Sequence, residues 1–206
     1  MSPDNYYHVY THANGFENLF QCDDNYRYFL DRYKKHIPSV ADTLAWCLMP
    51  NHIHFFVRVK PTAGLAQYFG DKHPEKTKAL EAIQKQTALG QKTLDEFTVQ
   101  QFSHLLNGYT QAFNKMYQRR GSLFRHTFKR KEVTSDSYFT ALIRYIHTNP
   151  VHHGFVSTVD SWPWSSYREI LCQKPFLVNS QEVIDWFGGI QEFYSLSQPA
   201  VNPAWI

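Results

Sequence analysis

Two histidines one residue apart open an apolar stretch, "MPNHIHFFV", at residues 49–57. Residues two apart on a β-strand share a face and lie about 6.5–7 Å apart, so the imidazoles of His52 and His54 can converge on one cation. Neutral imidazole binds first-row divalent metals. The simpler interpretation is a pair of exposed histidines on the polar side of an amphipathic strand. The pair alone therefore predicts only part of a metal site.

A second group of polar residues lies in "RYIHTNPVHHG", residues 144–154. Tyr145 and Asn149 are four residues apart, so they share a face if this segment is helical. The Asn149 amide oxygen is then a candidate third metal ligand, with the Tyr145 phenol beside it. In the alternative interpretation Tyr145 packs in the core and Asn149 ends a helix before Pro150. The spacing leaves both interpretations open.

The positive charge of the chain is concentrated in one segment. The net charge is +3, yet Lys115–Lys131 holds seven basic residues and no acidic one, which leaves a net charge of −4 elsewhere. Aromatic residues are interleaved with these basic groups, a mixture that suits phosphate contacts and base stacking. A solvated helix end followed by a turn is the alternative. The predicted DNA-binding residues are Arg119, Arg120, Arg125, Lys129, Arg130 and Lys131.

Periodicity and breaker residues predict seven elements. In order, these are a strand at 6–12, a helix from 23 or 24 to about 35, strands at 43–49 and 52–60, a helix opened by a Thr98–Gln101 capping box, a basic strand at 123–133, and a helix from 136 to about 148 that Pro150 ends. This order predicts an α+β fold with a central antiparallel β-sheet of βαββαβ type, ferredoxin-like or RRM-like, with helices on its faces. The last helix, which bears Tyr145, is an addition to that core.

The length of 206 residues predicts one domain with appended elements, and the polar composition of residues 71–96 predicts a helical insertion or a mobile linker there. Cys22, Cys47 and Cys172 are widely spaced and form no CxxC pair, which favours free thiols in a cytoplasmic protein. The sequence shows no signal-peptide pattern and no long apolar run, so we expect no membrane association.

Five separated segments together resemble the single-tyrosine HUH transposases, the insertion sequence 200-like group, and most closely their REP-associated tyrosine transposase relatives. The segments, in chain order, are "YYHVYTHANGFENLF", "AWCLMPNHIHFFV", "YTQAFNKMYQRRGSLFRHTFKRKEV", "RYIHTNPVHHGFV" and "WPWSSYREI". A His-x-His pair is a weak signal by itself. Followed by the basic "RRGSLF" segment and then by Tyr-Ile-x-x-Asn-Pro-Val, it is a specific one.

The resemblance extends to about residue 170, which implies a single catalytic domain over residues 1–170, with the insertion at about 71–96, and a C-terminal extension at 171–206. It also implies a role for each candidate residue. His52 and His54 match the histidines that hold a divalent metal ion, Mg²⁺ or Mn²⁺, and Asn149 matches the polar residue that completes the metal site. Tyr145 matches the nucleophile, which forms a covalent 5′-phosphotyrosine intermediate. The implied function is that of a DNA transposase-like single-strand endonuclease and strand transferase acting on single-stranded or hairpin, palindromic DNA. Such enzymes work as homodimers that exchange the tyrosine helix, or as monomers, and the sequence leaves both possible.

Two other classes of function compete with this one. A cleavage-inactive, domesticated nucleic-acid-binding protein would keep the basic segment without the chemistry. A histidine-dependent nucleotide hydrolase is suggested because "HIHFFV" resembles the His-x-His-x-His pattern of histidine-triad enzymes, but Phe56 stands where that pattern needs its third histidine. A nicking assay on single-stranded DNA separates the three classes.

Overall fold

The computed structural model describes residues 1–126, 128–174 and 176–197. Its elements, in chain order, are β1 (Tyr6–His12), α1 (Asp23–His36), β2 (Ala41–Met49), β3 (His52–Val59), α2 (Thr62–Lys72), α3 (Thr77–Gln84), α4 (Ala88–Met116), β4 (Lys129–Val133), α5 (Asp136–His152), a 3-10 turn (Val159–Ser161), α6 (Tyr167–Leu171), α7 (Ser180–Phe187) and α8 (Ile190–Leu196).

The four strands form one antiparallel sheet in the order β2-β3-β1-β4. The β2–β3 hairpin turns at Pro50 and Asn51, as predicted, because proline and asparagine suit tight turns. In the register of β1 with β3, Tyr10 lies opposite His54 and His12 lies opposite His52. The predicted α+β fold with an antiparallel sheet of βαββαβ type and helices on its faces is confirmed.

The two faces of this sheet differ in content because side chains alternate along each strand. One face, here called the apolar face, packs against α1 and α4, and the Tyr33 ring of α1 stacks on Phe55 at 4.4 Å. Its central residues are Val9, Ile53, Phe55 and Val57. The other face, here called the histidine face, is covered by α5. Its histidines are His8, His12, His52 and His54.

Helix α4 begins ten residues earlier than the capping box at Thr98 predicts. The N-cap is Thr87, whose hydroxyl accepts a hydrogen bond from the Gly90 amide at 3.2 Å. Gly90 lies in the first turn, where an added Cβ would be 2.3 Å from the Ala82 carbonyl oxygen. Glycine therefore serves the close approach of α3 to α4, and the prediction of a helix start at Thr98 was wrong.

Two other boundaries differ from the predictions. Strand β4 covers only Lys129–Val133 of the predicted basic strand, and Phe124 forms an isolated bridge with Ala13. Helix α5 does not end before Pro150 but continues to His152. Pro150 has no N–H to donate to the Ile146 carbonyl, but the helical pattern continues beyond it, since the His153 amide donates to the Asn149 carbonyl at 3.0 Å.

The predicted division at residue 170 stays a prediction. Beyond it, Val178 forms a bridge with Thr43 of β2, and Phe193 of α8 is fully buried. Residues 198–206, the last part of the predicted C-terminal extension, lie outside the described residues. In the part of the chain that the structure describes, no helix has both the length and the apolar character needed to cross a membrane.

Candidate active site

The four residues singled out for chemistry meet at one end of the histidine face. His52 and His54 come from the start of β3, and Tyr145 and Asn149 come from successive turns of α5. The His52 Nε2 atom lies 3.3 Å from Asn149 Oδ1. The ring centroids of His54 and Tyr145 are 5.5 Å apart and nearly perpendicular. The fold thus assembles these four side chains from two segments about 90 residues apart.

Both histidines are buried, with 2% of His52 and 3% of His54 exposed. The interpretation of an exposed pair on a polar strand is therefore wrong, because α5 covers this part of the sheet. Burial lowers the pKa of His52 to about 4, and it lowers the pKa of His54 well below the usual value, with the His8 ring adding to the shift. Both imidazoles are neutral at pH 7, which is the form that binds a metal.

The polar atoms at this point fit a divalent cation. Both ring nitrogens of His52 face an amide oxygen, Nδ1 that of Asn51 at 2.8 Å and Nε2 that of Asn149 at 3.3 Å. A neutral imidazole has one N–H, and we assign it to Nδ1 because that contact is the shorter, which leaves the Nε2 lone pair facing the Asn149 oxygen. The His54 Nε2 atom is buried and has no hydrogen-bond partner within the described ranges. Buried polar atoms are nearly always paired, and a cation that takes imidazole nitrogens and an amide oxygen would satisfy these atoms.

His52, His54 and Asn149 provide few ligands for a metal ion. In the described residues no group of three or more His, Cys, Asp or Glu side chains is arranged to hold a metal ion. A metal bound by two imidazoles and one amide oxygen would need its remaining ligands from water or from a substrate. Such an open coordination shell is typical of a catalytic metal rather than a structural one.

The Tyr145 side chain is half-buried beside this group. Burial raises the pKa of its phenol, and the nearby Asn149 side chain acts in the opposite direction. The phenol is therefore protonated at neutral pH, and it would have to lose its proton for its oxygen to act as a nucleophile. Asn149, one turn away, is placed to stabilise the phenolate.

Three further histidines adjoin the pair, and the sequence reasoning missed all of them. The His8 Nε2 atom is 2.9 Å from His54 Nδ1. The ring of His12 stacks on His52 at 4.8 Å, and the ring of His153 lies 4.9 Å from His52. Alternation in "YYHVYTH" places His8 and His12 on one face of β1, which was a usable signal. Only the pairing of β1 with β3 shows that this is the face of His52 and His54.

Helix α5 is tied to the rest of the chain on its other side. His147 lies between Tyr145 and Asn149 in sequence, is fully buried, and has its Nε2 atom 2.8 Å from Ser166 Oγ. The Ser166 hydroxyl also accepts a hydrogen bond from the Trp46 amide of β2 at 2.9 Å. The "WPWSSYREI" motif thus contacts the tyrosine-bearing helix and the edge strand at the same point.

The six predicted DNA-binding residues do not form one surface. In the register of β4 with β1, Lys129 lies opposite Tyr10 and Lys131 opposite His8, so both are on the histidine face. Arg130 lies opposite Val9 on the apolar face, with its guanidinium 5.9 Å from the Phe128 ring.

The three arginines that precede β4 also differ among themselves. Arg119 is paired with the Glu17 carboxylate and bonds nearby carbonyls. Arg120 and Arg125 are exposed, and Arg125 lines a cleft of about 130 Å³ with Lys129 and His12. The basic groups beside the histidines are therefore Arg125, Lys129 and Lys131.

Comparison with known proteins identifies a relative with a similar sequence. Over 145 residues the chain is 26% identical to a protein of Haemophilus influenzae named "Putative REP-associated tyrosine transposase", covering 68% of this chain and 67% of that protein. The resemblance to the REP-associated tyrosine transposases is confirmed. No protein-family model matches the chain.

A solved structure of a REP-associated tyrosine transposase, bound to a REP hairpin, shares the fold. It matches this chain with a TM-score of 0.56 at 15% identity, over 85% of this chain and 84% of that one. The antiparallel sheet and its covering helices therefore agree with a REP-associated tyrosine transposase of known structure. At this identity the likeness concerns the fold alone.

Proposed function

We propose that the protein is a DNA-nicking and strand-transferring enzyme that cuts single-stranded or hairpin DNA through a covalent 5′-phosphotyrosine at Tyr145. The observation that carries this proposal is the meeting of Tyr145 and Asn149 with His52 and His54 on one face of the sheet. The names of the relative and of the solved structure support a transposase, and the hairpin bound in the latter supports hairpin DNA as substrate.

In this proposal Tyr145 Oη attacks the scissile phosphorus. A bond forms between the phenol oxygen and phosphorus, the bond from phosphorus to the 3′ oxygen breaks, and the departing 3′ oxygen takes up a proton. One phosphodiester is exchanged for another, so no external energy source is needed. A phenol, with a pKa near 10, leaves phosphorus more readily than a sugar hydroxyl. A second 3′-hydroxyl can then reverse the step and complete strand transfer.

A divalent ion, Mg²⁺ or Mn²⁺, fits the same site, where His52, His54 and Asn149 would hold it. When bound, it would supply positive charge that polarises the scissile phosphate. The two imidazoles favour Mn²⁺, whereas Mg²⁺ prefers oxygen ligands. Asn149 has a second task in this proposal, because its Nδ2–H, which has no partner among the described residues, is available to the Tyr145 phenolate.

The DNA is expected to approach over β4 and the end of β1. Lys129 and Lys131 are on the histidine face, and Arg125 lines the neighbouring cleft. Their charges are suited to hold the backbone phosphates beside the scissile one. Arg119 is paired with Glu17, and Arg130 lies on the apolar face, so both are less suited to this contact.

The test uses single-stranded oligonucleotides that carry imperfect palindromes and a label 3′ of the cut. We expect the wild-type protein to form a labelled protein–DNA adduct and Tyr145→Phe to form none while still binding the DNA. Tyr138→Phe is the matched control, because Tyr138 lies two turns earlier on α5 and has Leu142, which cannot bind a metal, one turn beyond it. An adduct with the Tyr145 variant contradicts the proposed nucleophile. Cutting by the wild type without any adduct indicates a water nucleophile and contradicts the transposase mechanism.

A further inference from the structure

The strand next to the histidine pair contributes a third buried imidazole. His8, in the middle of β1, is 2% exposed. Its Nε2 atom lies 2.9 Å from Nδ1 of His54, and the two rings stack at 5.1 Å with an angle of 19° between their planes. One hydrogen atom must lie between two neutral imidazole nitrogens at this distance, so one ring donates and the other accepts.

The two possible directions of this hydrogen bond differ in what they leave at the other end of His54. If His8 donates, His54 carries its own hydrogen on Nε2, where it is buried without an acceptor in the described part of the chain. If His54 donates, Nε2 carries a lone pair that a cation can take. Either direction leaves Nε2 unpaired within the protein. Only the second lets a bound cation pair with it, whereas a buried N–H at Nε2 would stay without an acceptor, so the second direction is the favoured one.

We infer that His8 is a positioning residue. It accepts the Nδ1 hydrogen of His54 and so holds the His54 ring in the tautomer whose Nε2 lone pair is free to bind a metal. This inference rests on the proposed function of the His52–His54 pair. It adds a residue that acts on the ligand rather than on the metal or the DNA.

His52, the other histidine of the pair, is held in the same way by a different residue. His52 donates its Nδ1 hydrogen to Asn51 Oδ1 at 2.8 Å, which leaves its Nε2 for Asn149 and the metal. Metal-binding histidines generally donate their second N–H to a neighbouring acceptor, which fixes both tautomer and ring orientation. Each histidine of the pair thus has its own acceptor, Asn51 from the hairpin turn and His8 from the adjacent strand.

Packing restrains the His8 ring in its accepting position. The Tyr10 ring stacks on it at 4.7 Å, and the Tyr145 ring meets it edge-on at 6.3 Å. The contact with Tyr145 also means that His8 adjoins the proposed nucleophile. A change at His8 is therefore expected to affect both His54 and Tyr145. For this reason a direct measurement on His54 is preferable to an activity assay.

The first measurement is the tautomer of His54 in the metal-free wild-type protein, from long-range proton–nitrogen NMR correlations. We expect the hydrogen on Nδ1, and a hydrogen on Nε2 overturns the inference whatever the variants do. His54→Gln identifies the His54 signals. This measurement does not depend on DNA cleavage or on the folding of any His8 variant.

The second measurement is Mn²⁺ affinity, by calorimetry on the full chain without DNA, for a matched pair of variants. His8→Gln keeps an acceptor at similar reach, whereas His8→Phe keeps the ring but removes the acceptor. We expect His8→Phe to weaken Mn²⁺ binding about 10- to 100-fold, and His8→Gln to restore most of the loss. Equal affinity in the wild type and His8→Phe, with binding lost in His54→Ala, overturns the role of His8 and leaves the metal site standing. No Mn²⁺ binding by the wild type overturns the metal site and the role of His8 together.

Discussion

The two faces of the sheet are made by alternate residues of the same strands, yet they are completed in different ways. On the apolar face the buried hydroxyls of the strands are paired: Thr43 Oγ1 bonds the Tyr33 hydroxyl at 2.8 Å, and Thr11 Oγ1 donates to the His126 carbonyl at 3.2 Å. On the histidine face, His54 Nε2 and Asn149 Nδ2 are buried without partners in the part of the chain that the structure describes. Both faces are buried, so exposure to solvent does not distinguish them. They differ because the histidine face holds buried polar atoms without a hydrogen-bond partner, and these atoms mark the place where a bound ligand would complete the structure.

The strongest test of this difference removes the two histidines. We expect His52→Ala combined with His54→Ala to reduce DNA cleavage by at least about 100- to 1,000-fold, because the groups that would hold the metal are lost. Gel assays of labelled single-stranded DNA with Mn²⁺ measure this. Circular dichroism checks the fold, since both residues are buried. Undiminished cleavage, or undiminished cleavage by the wild type in excess chelator, would show that these residues hold no catalytic metal.

The matching change on the other face is Phe55→Ala, which alters the residue between Ile53 and Val57 on the apolar face. Phe55 packs against Tyr33 and is 1% exposed. We expect the free energy of unfolding to fall by about 3–5 kcal/mol, the usual loss for a buried phenylalanine. Urea denaturation compares it with His54→Ala, for which we expect a smaller loss. The reverse order would show that the histidine face is the more important one for stability.

Stability should also depend on pH through the buried histidines. Burial lowers the pKa of His147 to about 3 and that of His8 to about 4. The unfolded chain, whose histidines titrate near 6.5, then binds more protons than the folded one, so the free energy of unfolding falls as the pH drops below 6.5 towards these values. Each such histidine contributes about 1.4 kcal/mol per pH unit in that range.

Urea denaturation at pH 7.5 and pH 5.0 measures this dependence. We expect a lower free energy of unfolding at pH 5.0, and we expect His147→Gln to remove the share of one histidine from the difference. Above pH 6.5 the histidines should contribute no slope. Equal stability of the wild type at both pH values would mean that these imidazoles are not held neutral by the fold.

The smallest expected effect concerns the basic residues of β4, which the sheet divides between its faces. Replacing Lys129 and Lys131 with glutamine should weaken single-stranded DNA binding and lower the slope of log affinity against log salt by about 0.7 for each phosphate that the protein no longer neutralises. Arg130→Gln, from the same strand but the apolar face, is the control and should change the slope much less. Fluorescence anisotropy at several salt concentrations measures both variants. A larger change with Arg130→Gln would place the DNA on the opposite side of β4.

The residues that could be predicted are those whose placement depends on local geometry. His52 and His54 share a strand face and Tyr145 and Asn149 a helix face, and both relations follow from spacing. His8 could not be assigned a partner, because which strands pair is decided by contacts distant in sequence. The start of α4 was missed for a similar reason, since the close contact at Gly90 is tertiary.

The basic segment shows a different failure. It was treated as one patch, although adjacent residues of a strand must point to opposite faces. The alternation of Lys129, Arg130 and Lys131 was therefore available from the sequence once the strand was predicted. The ion pair of Arg119 with Glu17 was not, because it joins residues 102 positions apart.

The bond between His147 and Ser166 bears on how a reaction that joins two DNA ends can proceed. Moving α5 away from the sheet would expose a neutral imidazole, a hydroxyl and the packed rings of Tyr167 and Phe193. We therefore expect the helix to stay in place through a turnover, which slow amide hydrogen exchange over residues 143–149 would show. In the proposed mechanism Tyr145 would then hold one DNA end at a fixed point. The other DNA end would have to make the movement that strand exchange needs, leaving the site and being replaced during the lifetime of the covalent complex.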